Sequence, residues 1–333
     1  MSDETYIVVL MGGISPEREI SLQSGKAVAN ALSKDNNVIK IIVNDDMVNE
    51  LDNYKIDVAF IALHGHFGED GGIQEVLESK GIPYTGSGIS ASRLAMNKAE
   101  SKDIFRRNNI PTPDYFTAST VQSMSEITNS VKNLKLPVIT KPVSNGSSIG
   151  ISIIKEYIGI RDAIEHTGSY SEEILVEECI EGRELAVSVL NDKALPVIEI
   201  KIATGLYDYD AKYKSDKTQY IVLASADESS ETTLSHAVYN KVQELAIRAH
   251  NSLGCRTFSR VDMILNKEDE IYVLEVNTIP GFTERSLLPK AAAAANISFS
   301  ELCNSIVTAA CKHTFIPERV IRAGIHDKNI AKI

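Results

Sequence analysis

The chain has 333 residues, 43% hydrophobic and 24% charged, with a formal net charge of −11, ordinary proportions for a water-soluble globular protein and too long for one compact core. The acidic balance argues against a nucleic-acid binder, and without an apolar run of about 18 residues no membrane span is predicted. Cys179, Cys255, Cys303 and Cys311 match neither a zinc spacing nor a disulfide framework, and the start MSDETYIVVLMGG lacks the basic flank and cleavage site of a secretory signal. Reduced thiols and a cytoplasmic location follow as expectations.

In chain order, TYIVVLMGG, NVIKIIV and DVAFIAL read as buried parallel strands, and SLQSGKAVANALSK places Leu22, Ala29 and Leu32 at helical spacing. This alternation predicts a doubly wound α/β sheet with ligands at the carboxyl ends of its strands, where GGISPERE and HGHFGEDGG lie. The first of these turns fits a helix start capped by Ser15. In the second, His64 and His66 lie two apart on a loop without thiols, a poor zinc arrangement. A loop positioning one polar group fits better.

Composition changes near Gly88. Asn97–Asn108 predicts a polar helix carrying Lys98, Lys102, Arg106 and Arg107, and IPTPDYF is extended by its prolines. LPVITKP and IGISIIK predict a hairpin around VSNGSS, followed by a helix through Arg161–Thr167 and the strand EILVEECI. A boundary is placed before Arg183. Beyond it come strands ELAVSVLN and LPVIEIKIA, a loop from Gly205 to Tyr220, and a helix over Thr232–Leu253. Strands TFSRVDMILN and IYVLEVNT, turned by KEDE, precede helices through Ala291–Ala295 and Phe299–Thr314, and a loose extension ends the chain. The resulting division is 1–96, 97–182, 183–315 and an extension over 316–333.

The most informative chemistry is Arg260-Val-Asp262 on one strand facing Glu275-Val-Asn277 on the next. Residues two apart share a face, so a hairpin gathers both polar pairs while Val261 and Val276 face the core. Two carboxylates and an amide oxygen suit Mg²⁺. The alternative is a surface ladder of ion pairs, in which an Asn between carboxylates gains little. The segment Lys141-Pro-Val-Ser-Asn-Gly-Ser-Ser-Ile-Gly lets backbone N–H groups approach a phosphate beside a lysine. It lacks the GK[ST] ending of a P-loop, and an ordinary hairpin turn remains open; Lys98 and Lys212, by themselves, read as surface lysines. The long loop holding Tyr207, Tyr209, Lys212 and Tyr213 fits a lid.

Taken together and in this order, MGGISPEREISLQSG, LHGHFGEDGGIQ, AMNK, KPVSNGSSIG, YDYDAKY, SRVD and LEVNTIPGFTERS resemble the D-alanine–D-alanine ligases of the ATP-grasp superfamily, from about Tyr6 to about Cys311. The resemblance implies an α/β (overall α+β) ATP-grasp fold, with an N-terminal parallel domain and central and C-terminal domains sandwiching ATP. It implies ATP-dependent ligation of two D-alanines through an acyl phosphate, for peptidoglycan precursor synthesis, with a pair of Mg²⁺ ions (Mn²⁺ substituting) and a homodimeric assembly.

By the same resemblance Lys98, Lys141, Ser147, Ser148 and Lys212 contact the ATP phosphates. Glu177, Glu178 and Ile180 line the adenine, Glu184 binds the ribose, and Asp262, Glu275 and Asn277 hold the metal. Glu17 binds the first ammonium with His64 close by, and Glu17, Ser147 and Tyr213 lock the lid. Arg260 and the Gly281 N–H steady the oxyanion; Ser286 and Leu287 take the second carboxylate. Tyr213, rather than Phe, favours an amine over a hydroxy acid as second substrate. Val143, Ile279 and the tail beyond Thr314 depart from the family pattern without removing a proposed ligand. Another carboxylate–amine ATP-grasp ligase and a nucleotide-binding regulator without turnover are the competing readings.

Overall fold

A computed structural model describes residues 5–44, 50–146, 149–202 and 218–312. Strands β1 (Tyr6–Gly12), β2 (Asn37–Val43) and β3 (Val58–Ile61) form a parallel sheet in the order β2-β1-β3. Ile7 to Leu10 are completely buried on both faces, which explains their unbroken apolar run. Helix α1 (Arg18–Leu32) lies against β1 so closely that a Cβ on Gly25 would come 2.4 Å from Met11 Cβ. Helices α2 (Gly72–Ser79), α3 (Ile89–Met96) and α4 (Lys98–Arg107) follow. Asn97 caps α4, its side chain accepting from the Glu100 N–H.

The central unit is an antiparallel sheet of β4 (Tyr115–Ser119), β5 (Val138–Pro142), β6 (Ser152–Ile154) and β7 (Glu173–Glu178), in the order β4-β7-β5-β6. Helices α5 (Met124–Val131) and α6 (Ile160–Gly168) bury Ile127, Val131 and Ile164 against Val138 and Val176.

The third unit is another antiparallel sheet, built from β8 (Arg183–Leu190), β9 (Lys193–Ala194), β10 (Ile198–Lys201) and β11 (Gln219–Val222), then β14 (Phe258–Leu265) and β15 (Ile271–Asn277). Between them lie β12 (Ala224–Ala226), β13 (Thr233–Ser235) and α7 (His236–Ser252); α8 (Leu287–Ala294) and α9 (Phe299–Lys312) end the described chain. One face of this sheet packs Val187 and Val261 against Leu245 of α7 and Phe105 of α4. On the other, Phe258 and Phe282 join Phe60, Val28, Leu288 and Ile306 in a core shared with the N-terminal sheet. Beside that shared core, His64 just beyond β3 lies with Nδ1 3.1 Å from the carbonyl of Ile279 just beyond β15.

The structure corrects three sequence-based expectations. Helix α7 begins at His236 rather than Thr232, because Thr233–Ser235 first pairs as a strand with β12. Ser15 does not cap α1: its hydroxyl donates to the His64 carbonyl and accepts from the Glu17 N–H, fastening one strand-end loop to the other. Lys98, which by itself reads as a surface lysine, lies on the buried face of α4 with Ser101, Lys102 and Phe105. The extension beyond Thr314 lies outside the described residues.

Candidate active site

The β14–β15 hairpin pairs Arg260 with Asn277, Val261 with Val276 and Asp262 with Glu275. The two valines turn into the core. Arg260 grips Asp262 bidentately, Nε and Nη2 each donating at 2.7 Å, and Asn277 Nδ2 donates to Asp262 Oδ2 at 3.1 Å. Asp262 is 4% exposed, so this is no solvated surface ladder. Among the described residues no three or more His, Cys, Asp or Glu gather into a metal cage. Two neighbouring carboxylates with an amide oxygen nevertheless fit Mg²⁺, which keeps few protein ligands and completes its shell with water and phosphate oxygens.

On one side of the hairpin a cavity of about 170 Å³ opens between the two antiparallel sheets. Ile139, Ile151, Ile264 and Leu274 make an apolar slot, and Glu178, Ile180 and Glu184 lie at it too. Lys98 and Lys141 enter from the same cavity. Lys98 Nζ donates to the Asn145 carbonyl at 2.6 Å and stands 3.6 Å from Glu275. Glu178 is tied down at the edge of the slot, its carboxylate accepting from the Lys135 N–H at 2.7 Å.

Behind Lys141 lies a charge triad. One Glu177 oxygen pairs with Lys141 and the other with Lys102 at 2.8 Å; Lys102 also donates to Thr112 Oγ1 at 2.6 Å, and Thr112 donates to the Val273 carbonyl at 2.8 Å. Burial pushes Glu177 up, but the two ammonium groups outweigh it and hold the carboxyl below its ordinary range. Burial opposes the charge on Lys141 too, yet Glu177 and Glu275 raise it above the usual lysine value. At Lys102 burial wins over Glu177, and Lys141 adds to it, lowering the ammonium to about 8. The Glu177 side chain is thus a counter-ion to the lysines as well as a wall of the slot.

On the other side of the hairpin a second cavity, about 130 Å³, is bounded by Glu17, His64, Arg260, Gly281, Ser286 and Leu287. The two cavities meet at Gly146, where a Cβ would stand 3.5 Å from Glu17 Oε1. Glu17 is 7% exposed, held at the head of α1. His64 is buried; Nδ1 lies 3.1 Å from the Ile279 carbonyl and Nε2 3.1 Å from Ser24 Oγ. Burial, countered in part by the Ile279 bond and aided by the Arg260 charge, lowers His64 to about 4, so the ring is neutral. A neutral ring facing a carbonyl carries its proton on Nδ1. Both ring nitrogens are therefore engaged by protein, in a ring that lines the cavity. Ser286 precedes α8, and its hydroxyl accepts from the Thr283 N–H at 3.1 Å; a Cβ at Gly281 would come 2.6 Å from that oxygen. The N–H groups of the first turn of α8 offer a carboxylate site.

Every predicted site residue among those described lies in one cavity or on the hairpin between them. Ser147, Ser148, Lys212 and Tyr213 lie outside the described residues. Sequence reasoning missed Glu69, Tyr220, Ser24, Lys102 and Thr112. Glu69 accepts from the Gly65 N–H at 2.7 Å, and burial together with the nearby Glu17 charge raises it to about 8. A signal existed for Lys102, four residues after Lys98 and hence on the same helix face.

A phosphate-ready cleft between two antiparallel sheets, walled by a carboxylate-bearing hairpin and open to an amino-acid-sized cavity, defines the class as an ATP-grasp ligase. A family model described as D-ala D-ala ligase C-terminus matches residues 104–308, and D-ala D-ala ligase N-terminus matches 44–87. The chain belongs to the D-alanine–D-alanine ligase family. It is 41% identical over 320 residues to the D-alanine–D-alanine ligase of Pelotomaculum thermopropionicum, covering 93% of this chain and 98% of the relative. Among solved structures it resembles the Bacillus anthracis D-alanine–D-alanine ligase complexed with ATP, at TM-score 0.80 and 31% identity, covering 96% of this chain and 99% of that one. It also resembles the VanG D-Ala:D-Ser ligase of Enterococcus faecalis, at TM-score 0.80 and 29% identity, covering 92% and 100%.

Proposed function

We propose that this chain joins two D-alanines at the expense of ATP, supplying D-alanyl-D-alanine for peptidoglycan precursors. The observation that carries the reading is the meeting of the two cavities at Gly146, with Arg260 and Asn277 bounding one and Asp262 and Glu275 the other. ATP lies in the slot, its phosphates toward Lys98 and Lys141. The first D-alanine lies beside Glu17, whose carboxylate takes its ammonium. Its own carboxylate oxygen attacks the γ-phosphorus, ADP leaves, and a poor electrophile becomes an acyl phosphate.

The amine of the second D-alanine then attacks that acyl carbon, loses a proton, and phosphate leaves. Arg260 and the Gly281 N–H stabilise the oxyanion as it forms, the role preorganised donors fill in acyl transfer. Ser286, Leu287 and the start of α8 take the second carboxylate. Glu178, Ile180 and Glu184 bind adenine and ribose. Ser147, Ser148, Lys212 and Tyr213 complete the phosphate loop and lid.

Asp262, Glu275 and Asn277 would hold Mg²⁺, and Mn²⁺ suits the same oxygen donors; when bound, the ions neutralise charge on the transferring phosphoryl group. Further parts of the proposal are a homodimer, a cytoplasmic location and the domain limits at 96, 182 and 315. No described helix is long and apolar enough to cross a membrane, and all four thiols are free.

The test is phosphate release from ATP and Mg²⁺ with D-alanine, against L-alanine, D-serine and D-lactate. D-Alanine-dependent release with the dipeptide seen by mass spectrometry supports the reading. Release that needs D-serine as acceptor, the specificity named for the Enterococcus faecalis neighbour, would replace it. Glu17→Gln is expected to raise the KM for the first D-alanine while leaving the KM for ATP in place; the reverse pattern removes Glu17 from the amino-acid site.

A further inference from the structure

The segment EISLQSG at the head of α1 contributes Glu17's neighbours but no assigned role. Its serines Ser21 and Ser24 are completely buried. With Glu17 they occupy positions i, i+4 and i+7, one stripe of the helix. A buried helical serine usually returns its hydroxyl to the carbonyl four residues back. These two bond across the fold instead. Ser21 Oγ accepts from the Gly12 N–H at 2.8 Å and donates to the Ala62 carbonyl at 2.6 Å, closing the ends of β1 and β3 together. Ser24 Oγ accepts from the Phe282 N–H at 3.2 Å and lies 3.1 Å from His64 Nε2.

The proton positions along this path are determined. His64 Nδ1 faces a carbonyl, which can only accept, so Nδ1 carries the hydrogen and Nε2 is left as the acceptor. Ser24 therefore donates to Nε2 and accepts from Phe282. The result is a closed neutral circuit: Phe282 N–H to Ser24, Ser24 to His64, and His64 back to the Ile279 carbonyl. It spans both ends of the Ile279-Pro280-Gly281-Phe282 turn and fixes it to the helix that carries Glu17. Phe282 is held further by edge-on contacts to Phe60 at 5.2 Å and Phe258 at 5.5 Å between ring centres.

We infer that Ser24 is a positioning residue for the ligation step, holding the Gly281 N–H in register with Glu17 through the Phe282 amide and His64. The inference rests on the roles proposed above for Gly281 and Glu17. It does not require Ser24 to touch substrate. The nucleotide slot lies across the hairpin and shares no residue with the circuit, so the effect of breaking it falls on the amino-acid side. A small misplacement of a reacting geometry is worth large factors in rate, and one buried hydrogen bond corresponds to roughly tenfold.

The experiment compares Ser24→Ala, Ser24→Cys and Ser24→Thr in the full chain. Cys keeps the shape with a weak hydrogen-bonding group, while Thr keeps the hydroxyl. The acceptor is whichever amino acid drives phosphate release in the wild type, so failure of D-alanine there counts against the proposed function separately. Expected results are a kcat lowered about tenfold per folded molecule in Ala and Cys, recovered in Thr, with the KM for ATP within about twofold. Amide exchange at Phe282 should quicken in Ala and Cys. Should Ala fail to fold, the Cys and Thr pair carries the comparison. Wild-type kcat in Ser24→Cys, or a KM for ATP rising as far as kcat falls, would overturn the inference.

Discussion

The two cavities on either side of the β14–β15 hairpin solve opposite electrostatic problems. The slot proposed for the nucleotide presents Lys98 and Lys141, and Lys141 is held charged by Glu177, a carboxylate it shares with Lys102 behind it. The cavity proposed for the amino acids would hold a zwitterion beside a reacting carbonyl. Much of its wall is neutral: a His64 ring lowered to about 4 and a Glu69 carboxyl raised to about 8. Glu17 and Arg260 line the same cavity and are the groups proposed to meet the ammonium and the oxyanion. Arg260 is itself fixed by paired charge, gripped by Asp262, while His64 is fixed by neutral hydrogen bonds to Ser24 and Ile279.

The largest expected effect tests the charged side. Glu177→Gln leaves two buried ammonium groups without their anion, and breaking a buried pair this way costs about 3–5 kcal/mol; urea denaturation measures it. A loss under about 1 kcal/mol would mean that the triad is not a charged unit. Next, Arg260→Ala should lower kcat by about 100- to 1000-fold while the KM for ATP holds, because the charge it answers develops in the transition state. Near-normal turnover removes the oxyanion role.

A third prediction concerns neutral imidazoles. Burial lowers both His64 and His250 to about 4; His250 shares its Nδ1 with Ser259 at 2.7 Å. The unfolded chain takes up these protons near pH 6.5 while the folded chain does not until about 4. Stability is therefore present above about 6.5 and is lost as pH falls toward 4, on the order of 3 kcal/mol for each ring. His250→Asn should flatten this acid limb, and an unchanged curve would remove His250 from it. The smallest effect is Lys102→Met. It leaves Lys141 and Glu177 as a balanced pair and deprives Thr112 of one partner, about 1 kcal/mol by denaturation. A cost equal to that of Glu177→Gln would show that both lysines are needed to ionise the carboxylate.

The N-terminal sheet was legible because period and composition carry it: Ile7–Leu10 and Val58–Ile61 are apolar on both faces, as a covered parallel strand must be. The hairpin was equally legible, since a two-residue repeat fixes which of Arg260, Val261 and Asp262 share a face. Lys102 was not. A lysine on a polar helix is ordinarily solvated, and its burial depends on Glu177 from β7 and Thr112 from the loop before β4. Ser24 was hidden likewise, with bonding partners 40 and 258 residues away in sequence.

By itself the sequence determined the alternation of strands and helices, the pairing face of the β14–β15 hairpin and the motif set that marks the family. These are local or periodic properties, written in spacing. Only the tertiary structure decided which polar groups are charged, because charge state depends on burial and on partners from distant segments. The shared core around Phe60, Phe258 and Phe282 sets those distances, and with them the neutral ring at His64 and the buried cations behind the nucleotide slot.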